Sequence, residues 1–215
     1  MNSTSETVSK LLLKLKAVTL NPKNPFKYSS GMLSPIYTDC RLLMSYPEER
    51  RQIRDLYIEA IKKTGINFDV IGGTATAGIP HAAWVAEEMN LPMIYVRGKA
   101  KDHGKGNQIE GKLELGQTVA IIEDLISTGE SSIETARAVK EAGGKAIYVF
   151  SITTYGMEKS LQNFKENNLE LISMTNFEDL ISTAENLGYI SSDEKQTALE
   201  WVKDPPMWGK KMGFE

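Results

Sequence analysis

The stretch VAIIEDLISTGES, residues 119–131, decides the fold of this chain. Its first four residues, 119–122, are apolar and three of them are β-branched, which predicts a buried strand. We expect the strand to end at two acids, Glu123 and Asp124, and a short hydroxyl-rich turn separates them from a helical pattern that begins at Glu130. A strand, an acidic tip, a loop and a helix in this order predict an α/β unit.

The Ser-Thr-Gly turn at residues 127–129 predicts a phosphate site. It would present backbone N–H groups and hydroxyls at the positive end of the helix dipole. No Gly-Lys-Ser/Thr sequence ends the turn, so it is not a P-loop. The two preceding carboxylates would repel a bare nucleotide tail, but they suit a sugar with neighbouring hydroxyls and a nearby Mg²⁺ ion. The alternative is an ordinary strand–loop–helix unit with two solvated acids.

Size and composition limit the classes of function. The chain has 215 residues, of which 41% are hydrophobic and 25% are charged, and this favours one ordered α/β domain over disorder. The net charge of -3 argues against a general attraction to nucleic acid. A single cysteine, Cys40, excludes an intrachain disulfide. We see no signal peptide and no apolar run of membrane-spanning length, so we expect a cytoplasmic protein with no membrane partner.

Two further segments have the composition of anion sites. Residues 72–80 (GGTATAGIP) lie between a strand that begins at Phe68 and a helix over residues 79–89, and their glycines allow an anion to approach the backbone. Residues 97–111 (RGKAKDHGKGNQIEG) are basic and glycine-rich, which predicts a mobile lid that brings positive charge over a polyphosphate. A solvated surface loop, or a hairpin whose second arm is residues 108–113, is the alternative.

The remaining sequence predicts a hood and additional helices around this core. We expect a single domain over residues 1–215, with an N-terminal hood at about 20–47, a core at about 66–155 and C-terminal helices at about 176–203. Helix starts are predicted at Ser45 with Glu48 as a capping box, at Asn176, and at Ser191 or Ser192. The tail that contains Pro205 and Pro206 is predicted to be irregular.

These segments resemble those of the type I phosphoribosyltransferases, which use 5-phosphoribosyl 1-pyrophosphate (PRPP). Residues 72–80, 97–106 and 123–131 are similar to the pyrophosphate loop, the flexible loop and the PRPP loop of that family. The AKDHG sequence at 100–104 and the hood residues 29–31 and 34–37 resemble orotate phosphoribosyltransferases in particular. The resemblance implies a central, mainly parallel sheet flanked by helices, with a small N-terminal hood.

The resemblance also implies a function. The reaction would transfer ribose 5-phosphate from PRPP to orotate, with Mg²⁺, giving orotidine 5′-phosphate and pyrophosphate in the biosynthesis of pyrimidines (UMP). A homodimer is implied, in which the flexible loop of one subunit works in the active site of its neighbour. Two alternatives share the fold: a purine-type phosphoribosyltransferase, and a PRPP-sensing regulator that binds nucleic acid. The hood and the AKDHG loop argue against the first, and the net charge of -3 argues against the second.

Site residues follow from the resemblance by position. The implied catalytic set is Lys101, His103 and Asp124. The implied PRPP-binding set is Thr76, Ala77, Arg97, Lys101, His103, Glu123, Asp124, Leu125, Ile126, Ser127, Thr128, Gly129, Glu130 and Ser131. The implied orotate-binding set is Ile36, Tyr37, Ser127 and Tyr155. No cage of metal-binding side chains is visible in the sequence, so Mg²⁺ would be held mainly by PRPP and water.

The chain departs from the family pattern at several of these positions. Ser29 and Gly98 stand where other members have a Lys, and Thr76 and Ala77 stand where some members have an aromatic, partly basic pair. Tyr155 stands where an Arg contacts orotate in other members. The sequence therefore does not say which group holds the orotate carboxylate.

Overall fold

The computed structural model describes residues 3–28, 30–98 and 108–214. Most of the predicted lid lies outside these described residues. The predictions for Ser29, Lys101 and His103 also lie outside them.

Two small antiparallel sheets form the N-terminal hood. Strand β1 (Val18–Leu20) pairs with β4 (Ile36–Thr38), and β2 (Phe26–Lys27) pairs with β3 (Leu33–Ser34). A 3₁₀ helix, Cys40–Ser45, follows the last of these strands. The Asp39 carboxylate caps this helix by accepting a hydrogen bond from the Arg41 N–H at 3.2 Å. The short β-strands expected in the hood are confirmed.

Six further strands form the central sheet: β5 (Val70–Thr74), β6 (Met93–Val96), β7 (Ile109–Glu110), β8 (Thr118–Ile126), β9 (Lys145–Thr154) and β10 (Glu170–Asn176). Their spatial order is β10-β9-β8-β5-β6-β7, and every neighbouring pair is parallel except β6 and β7. The predicted mainly parallel sheet is confirmed. The antiparallel β6–β7 pair also confirms the hairpin that was considered as an alternative, although its second strand spans Ile109–Glu110 and not residues 108–113.

Strand β8 is longer than the sequence predicted. We expected it to end at Glu123, but it continues through Ile126, which pairs with Thr154 of β9. The prediction was wrong because β9 offers hydrogen-bonding partners over this whole length, and pairing overrides the polarity of the two acids. Glu123 and Asp124 therefore lie inside a paired strand, and the turn to the next helix is confined to residues 127–129.

Eight helices surround the sheet in the described residues: α1 (Ser3–Lys14), α2 (Pro47–Lys63), α3 (Gly78–Met89), α4 (Glu130–Glu141), α5 (Glu158–Glu166), α6 (Phe177–Asn186), α7 (Ser192–Trp201) and α8 (Pro205–Lys211). Side chains on β8 alternate between two buried clusters. Val119 and Ile121 pack with residues of α4 and α5, whereas Ala120 and Ile122 pack with residues of α1, α2, α3 and α6. The fold therefore has three layers, with the sheet between two layers of helices and one buried cluster on each face of the sheet. None of the described helices is both long and apolar enough to cross a membrane.

Two of the three predicted helix starts are confirmed. The Asn176 side chain accepts from the Asp179 N–H at 2.9 Å, and Ser191 forms a capping box at the start of α7. The capping box predicted at Ser45 and Glu48 is wrong. Helix α2 begins after Tyr46, which makes no side-chain capping bond, and Pro47 takes the first helical position, where its missing N–H costs nothing.

The C-terminal tail is helical, so the prediction of an irregular segment was also wrong. Pro205 and Pro206 begin α8, and the fully buried Trp208 donates from Nε1 to the Thr197 carbonyl at 3.0 Å. A methyl group added at Gly209 would lie 2.8 Å from the Leu33 side chain, so α8 packs closely against the hood. Helix α5 was not predicted at all.

Candidate active site

Two strand-to-helix turns meet at one edge of the sheet. Strands β5 and β8 are parallel neighbours, so the turn from β5 to α3 and the turn from β8 to α4 leave from the same side. Gly78, at the start of α3, is so close to β8 that an added methyl group would overlap the Ile122 carbonyl and lie 3.3 Å from Glu123 Cα. The first and third predicted anion segments are therefore brought together. Ligands commonly bind at this edge of an open parallel sheet.

The two acids on β8 have different surroundings. The Glu123 carboxylate is buried, with one oxygen accepting from the Asp124 N–H at 3.1 Å. Its other oxygen accepts from the hydroxyls of Ser131 at 3.1 Å and Ser132 at 3.4 Å. Glu123 thus fixes the first turn of α4. Asp124 is partly exposed and is the acid that remains open to a ligand.

Burial controls the protonation of this pair. Burial raises the pKa of Glu123 well above its usual value, and the neighbouring charge of Asp124 raises that pKa further. Burial also raises the pKa of Asp124, while its hydrogen bonds to the Glu123 side chain and to backbone N–H groups oppose the rise. The two carboxylates cannot easily be charged together, so cationic or hydrogen-donating ligand groups would favour ionisation of both.

The turn before α4 has the geometry of an anion site. Gly129 takes a left-handed conformation (φ 79°) and precedes the helix without a side-chain cap, so the first N–H groups of α4 are not capped from that position. The Asn163 side chain holds the turn by donating to the Thr128 carbonyl at 2.9 Å. The Ser127 hydroxyl lies 3.9 Å from the Met157 sulfur, a weak contact that leaves it able to turn to a ligand.

A second uncapped helix start lies at the end of β5. Thr76 is exposed and follows a cis peptide bond from Ala75, and Ala77 precedes α3 without a side-chain cap. The buried Thr74 hydroxyl has no hydrogen-bond partner among the described residues. Thr76 and Ala77 therefore lie between β5 and an uncapped helix start, and their assignment to a pyrophosphate loop stays a prediction.

Of the lid residues assigned to PRPP binding, Arg97 is the one that lies among the described residues. Its N–H donates to the Gln108 carbonyl at 3.0 Å, so it closes the β6–β7 hairpin. Its guanidinium lies 3.5 Å from the Glu110 carboxylate, and its side chain is about one-third exposed, at 35%. The positions predicted for Lys101 and His103 in the site remain predictions.

The predicted orotate-binding residues do not all reach the surface. Tyr37 is 45% exposed, and its ring lies 5.8 Å from that of Phe26. Ile36 is fully buried, and its carbonyl accepts from the hydroxyls of Tyr28 and Ser34. Tyr155 is also buried. Its hydroxyl donates to the Thr38 hydroxyl at 3.1 Å, and its ring meets Phe177 and Trp201 edge-on. Tyr37 and Ser127 are thus the accessible members of the set.

Sequence reasoning missed two features of the site. The bond from Ser132 to Glu123 is hidden in the sequence, because it depends on how closely α4 approaches β8. The second is the ion pair between Asp39 and Arg41 in the hood, with Arg41 Nε 2.6 Å from Asp39. The Asp-Cys-Arg sequence at 39–41 was the available signal, but nothing in the hood pattern connected it with β8.

Comparison with known proteins identifies the family. A family model described as the phosphoribosyl transferase domain matches residues 43–176. An orotate phosphoribosyltransferase from Coxiella burnetii is 50% identical over 208 residues, which cover 97% of this chain and 99% of the relative. One from Listeria monocytogenes is 48% identical over 208 residues, which cover 97% of this chain and 100% of the relative. The chain belongs to the orotate phosphoribosyltransferase family. The crystal structure of a member from Aeropyrum pernix is similar at a TM-score of 0.73 and 26% identity, covering 86% of this chain and 99% of that chain.

The site can accommodate the magnesium ion expected for a phosphoribosyltransferase. Among residues 3–28, 30–98 and 108–214, no group of three or more His, Cys, Asp or Glu side chains is arranged to hold a metal. The partly exposed Asp124 offers one carboxylate, and Mg²⁺ in phosphate sites commonly takes one or two carboxylates, substrate oxygens and water. The residues present fit an ion held mainly by the substrate.

Proposed function

We propose that this phosphoribosyltransferase transfers ribose 5-phosphate from PRPP to orotate, forming orotidine 5′-phosphate and pyrophosphate for pyrimidine biosynthesis. The observation that carries the proposal is the meeting of two uncapped helix starts with Glu123 and Asp124 at the edge of β5 and β8. PRPP has a 5-phosphate, a diphosphate and a ribose between them. It therefore needs two anion sites, with a group between them that accepts hydrogen bonds from the ribose hydroxyls. The two helix starts and the acids at this edge are suitable for these three tasks, which supports the proposal.

The acids on β8 would act on the ribose. Asp124 accepts hydrogen bonds from the ribose hydroxyls and keeps negative charge near an oxocarbenium-like transition state. Glu123 is held by Ser131 and Ser132, so its main contribution is to fix the turn that binds the 5-phosphate. The N–H groups and hydroxyls of residues 125–131 hold that phosphate at the positive end of α4. Catalysis then depends mainly on positioning.

The departing diphosphate would be held by the other two segments. Thr76 and Ala77 offer backbone N–H groups at the start of α3, and Arg97 offers its guanidinium from the lid hairpin. We assign Lys101 to charge neutralisation and His103 to proton donation as the diphosphate leaves. Mg²⁺, held mainly by the substrate and by Asp124, would neutralise charge on the diphosphate. Tyr37 and Ser127 would contact the base.

A homodimer forms part of the proposal. Three apolar side chains are exposed at the 3₁₀ helix. Leu42 and Met44 lie on the helix and are 39% and 42% exposed, and Tyr46, which follows it, is 39% exposed. Neighbouring exposed apolar residues favour burial against another protein surface, and a second copy of this chain is the partner we propose. The lid of each subunit would then close over the active site of the other and exclude water during transfer.

Subunit mixing tests the shared site. Lys101→Ala and Asp124→Asn should each be nearly inactive alone. After dissociation and reassociation, half of the sites in each heterodimer would combine an intact lid with an intact Asp124. With random pairing, activity should return to about a quarter of wild type. If mass measurement confirms heterodimers and activity stays at the level of the parents, the lid serves its own subunit.

Pyrophosphate release with different bases tests the activity. Orotate should support Mg²⁺-dependent release at a far higher kcat/KM than uracil, adenine or hypoxanthine. Higher activity with a purine would support the purine-type alternative and contradict the proposal. Activity with uracil equal to that with orotate would show that the carboxylate is not recognised. A cytoplasmic location and the lack of a nucleic-acid or membrane partner stay predictions.

A further inference from the structure

The orotate carboxylate needs a cationic or hydrogen-donating partner, and the expected position does not supply one. Tyr155 is buried, and its hydroxyl already donates to Thr38. A carboxylate that leaves water without a charged or well-placed donor is strongly disfavoured. Some other residue near Asp124 and the exposed Tyr37 is therefore required if the base is orotate.

The hood places one arginine in this neighbourhood. Arg41 follows β4 on the 3₁₀ helix, and its Nε and Nη2 donate to the two oxygens of Asp39 at 2.6 Å and 3.0 Å. This bidentate pair fixes the plane of the guanidinium. The Arg41 side chain is 57% exposed, and within the described residues no acceptor takes its Nη1. Arg41 is thus held in one orientation with donors left for a ligand.

The 3₁₀ helix packs against β8, with Cys40 fully buried in the cluster that contains Ile122 of β8. The Tyr155 hydroxyl, at the expected base position, bonds to Thr38 at the end of β4, three residues before Arg41. Cys40 is fully buried directly before Arg41, and its pKa is raised by burial and then by the charges of Asp124 and Asp39. The pKa of Arg41 is raised by its hydrogen bond to Asp39, with smaller contributions from Tyr37 and Asp124. Arg41 therefore lies within electrostatic range of Asp124, which we assign to the ribose, and of Tyr37, which we assign to contact with the base.

We propose that Arg41 binds the carboxylate of orotate and is a specificity-determining residue of this site. The inference rests on the proposed function, because it takes orotate as the acceptor. The carboxylate of orotate is next to the ring nitrogen that joins the ribose. A donor that recognises it must therefore lie near the ribose site, as Arg41 does. Asp39 would act as a positioning residue that fixes the orientation of the guanidinium group. Less conformational entropy is then lost when the ligand binds.

Product binding separates this role from a structural one. Orotidine 5′-phosphate and UMP differ only by the carboxylate, so their dissociation constants can be compared by titration calorimetry. Arg41→Gln should weaken the binding of orotidine 5′-phosphate by about 10- to 100-fold, the usual size for the loss of a hydrogen bond to a charged group. It should change the dissociation constant of UMP by less than about twofold. Arg41→Lys keeps the charge and loses the fork, so its loss should be smaller.

A matched control is available on α2. Arg51 is exposed there, and Arg51→Gln removes the same charge at a position outside the hood strands and the 3₁₀ helix. It should leave both dissociation constants unchanged. Equal weakening of the two nucleotides by Arg41→Gln, or no weakening of either, would overturn the assignment. Wild-type turnover with orotate is measured first, so failure of the proposed function would be seen independently of Arg41.

Discussion

Gly129→Ala tests how the phosphate turn is built. Gly129 has a φ of 79°, which costs an alanine about 1–2 kcal/mol. The new methyl group would lie 2.6 Å from Cε2 of the Phe164 ring, whereas ordinary contacts begin at 3.4 Å, so the two groups must separate by about 0.8 Å. Phe164 is 4% exposed and cannot swing into solvent. Overpacking of this kind costs about 1–3 kcal/mol, so the total loss should be about 2–5 kcal/mol.

Gly116→Ala is the matched control. Gly116 has a similar φ of 82°, but a methyl group there meets nothing within 4 Å. It lies before β8, at the end of the sheet opposite to the site, and should cost only the conformational term of about 1–2 kcal/mol. The difference between the two variants therefore measures the contact with Phe164.

Urea unfolding and steady-state kinetics provide the two measurements. Gly129→Ala should lose more stability than Gly116→Ala and should also raise KM for PRPP by about tenfold or more, because the displaced turn holds the 5-phosphate. Gly116→Ala should leave KM unchanged. Equal losses of stability in the two variants, or an unchanged KM in Gly129→Ala, would refute the proposed geometry of the turn.

Three further variants test other parts of the account. Asp124→Asn should lower kcat by about 10- to 1000-fold, equivalent to about 1.4–4 kcal/mol of barrier, with little change in Tm; full turnover at saturating PRPP would exclude the ribose contact. Burial lowers the pKa of His81 to about 4, so protonation of the unfolded chain below pH 6.5 should destabilise the fold as the pH falls. Between pH 7.5 and pH 5, the free energy of unfolding measured in urea should therefore fall by about 2 kcal/mol less in His81→Phe than in wild type. An identical pH dependence in the two proteins would count against burial of a neutral His81. Trp208→Ala should cost about 3–5 kcal/mol, whereas Met207→Ala, which is 44% exposed, should cost less than about 0.5 kcal/mol; equal small losses would mean that α8 is not docked.

The features that the sequence predicted correctly depend on local signals. The apolar run at 119–122 identified the central strand, because a strand covered on both faces is apolar throughout. Asn176 and Ser191 identified helix starts, because a side chain that accepts from an N–H three residues later acts within one turn.

The features that were missed depend on contacts between distant segments. Helix α8 forms because Trp208 bonds to Thr197 of α7 and Gly209 packs against Leu33 of the hood. The two prolines that suggested an irregular tail are tolerated at its start. Strand β8 extends past its acids because β9 pairs with it. Helix α5 has only a narrow apolar side, with Phe164 buried and Leu161 62% exposed.

In the candidate site, too, features set by neighbouring residues could be predicted, whereas features set by contacts between distant segments could not. The positions of Glu123, Asp124 and the turn at 127–129 next to one another follow from the sequence, because strand, acids and turn are contiguous, while their roles in binding stay predictions. The exposure of Tyr37 and the burial of Ile36 could not be predicted, since both lie in a hood strand whose pairing sets the side that faces the core. Arg41 was overlooked because its relation to Asp124 exists only after the hood has packed on β8.

The most direct measurement is the identity of the nucleotide formed in competition. The protein would be incubated with Mg²⁺, PRPP and equal concentrations of orotate, uracil, adenine and hypoxanthine, and the products identified by mass. We predict orotidine 5′-phosphate as the main product, lost when EDTA is added and strongly reduced in Asp124→Asn. A purine nucleotide or UMP as the main product, or no nucleotide at all, would contradict the account.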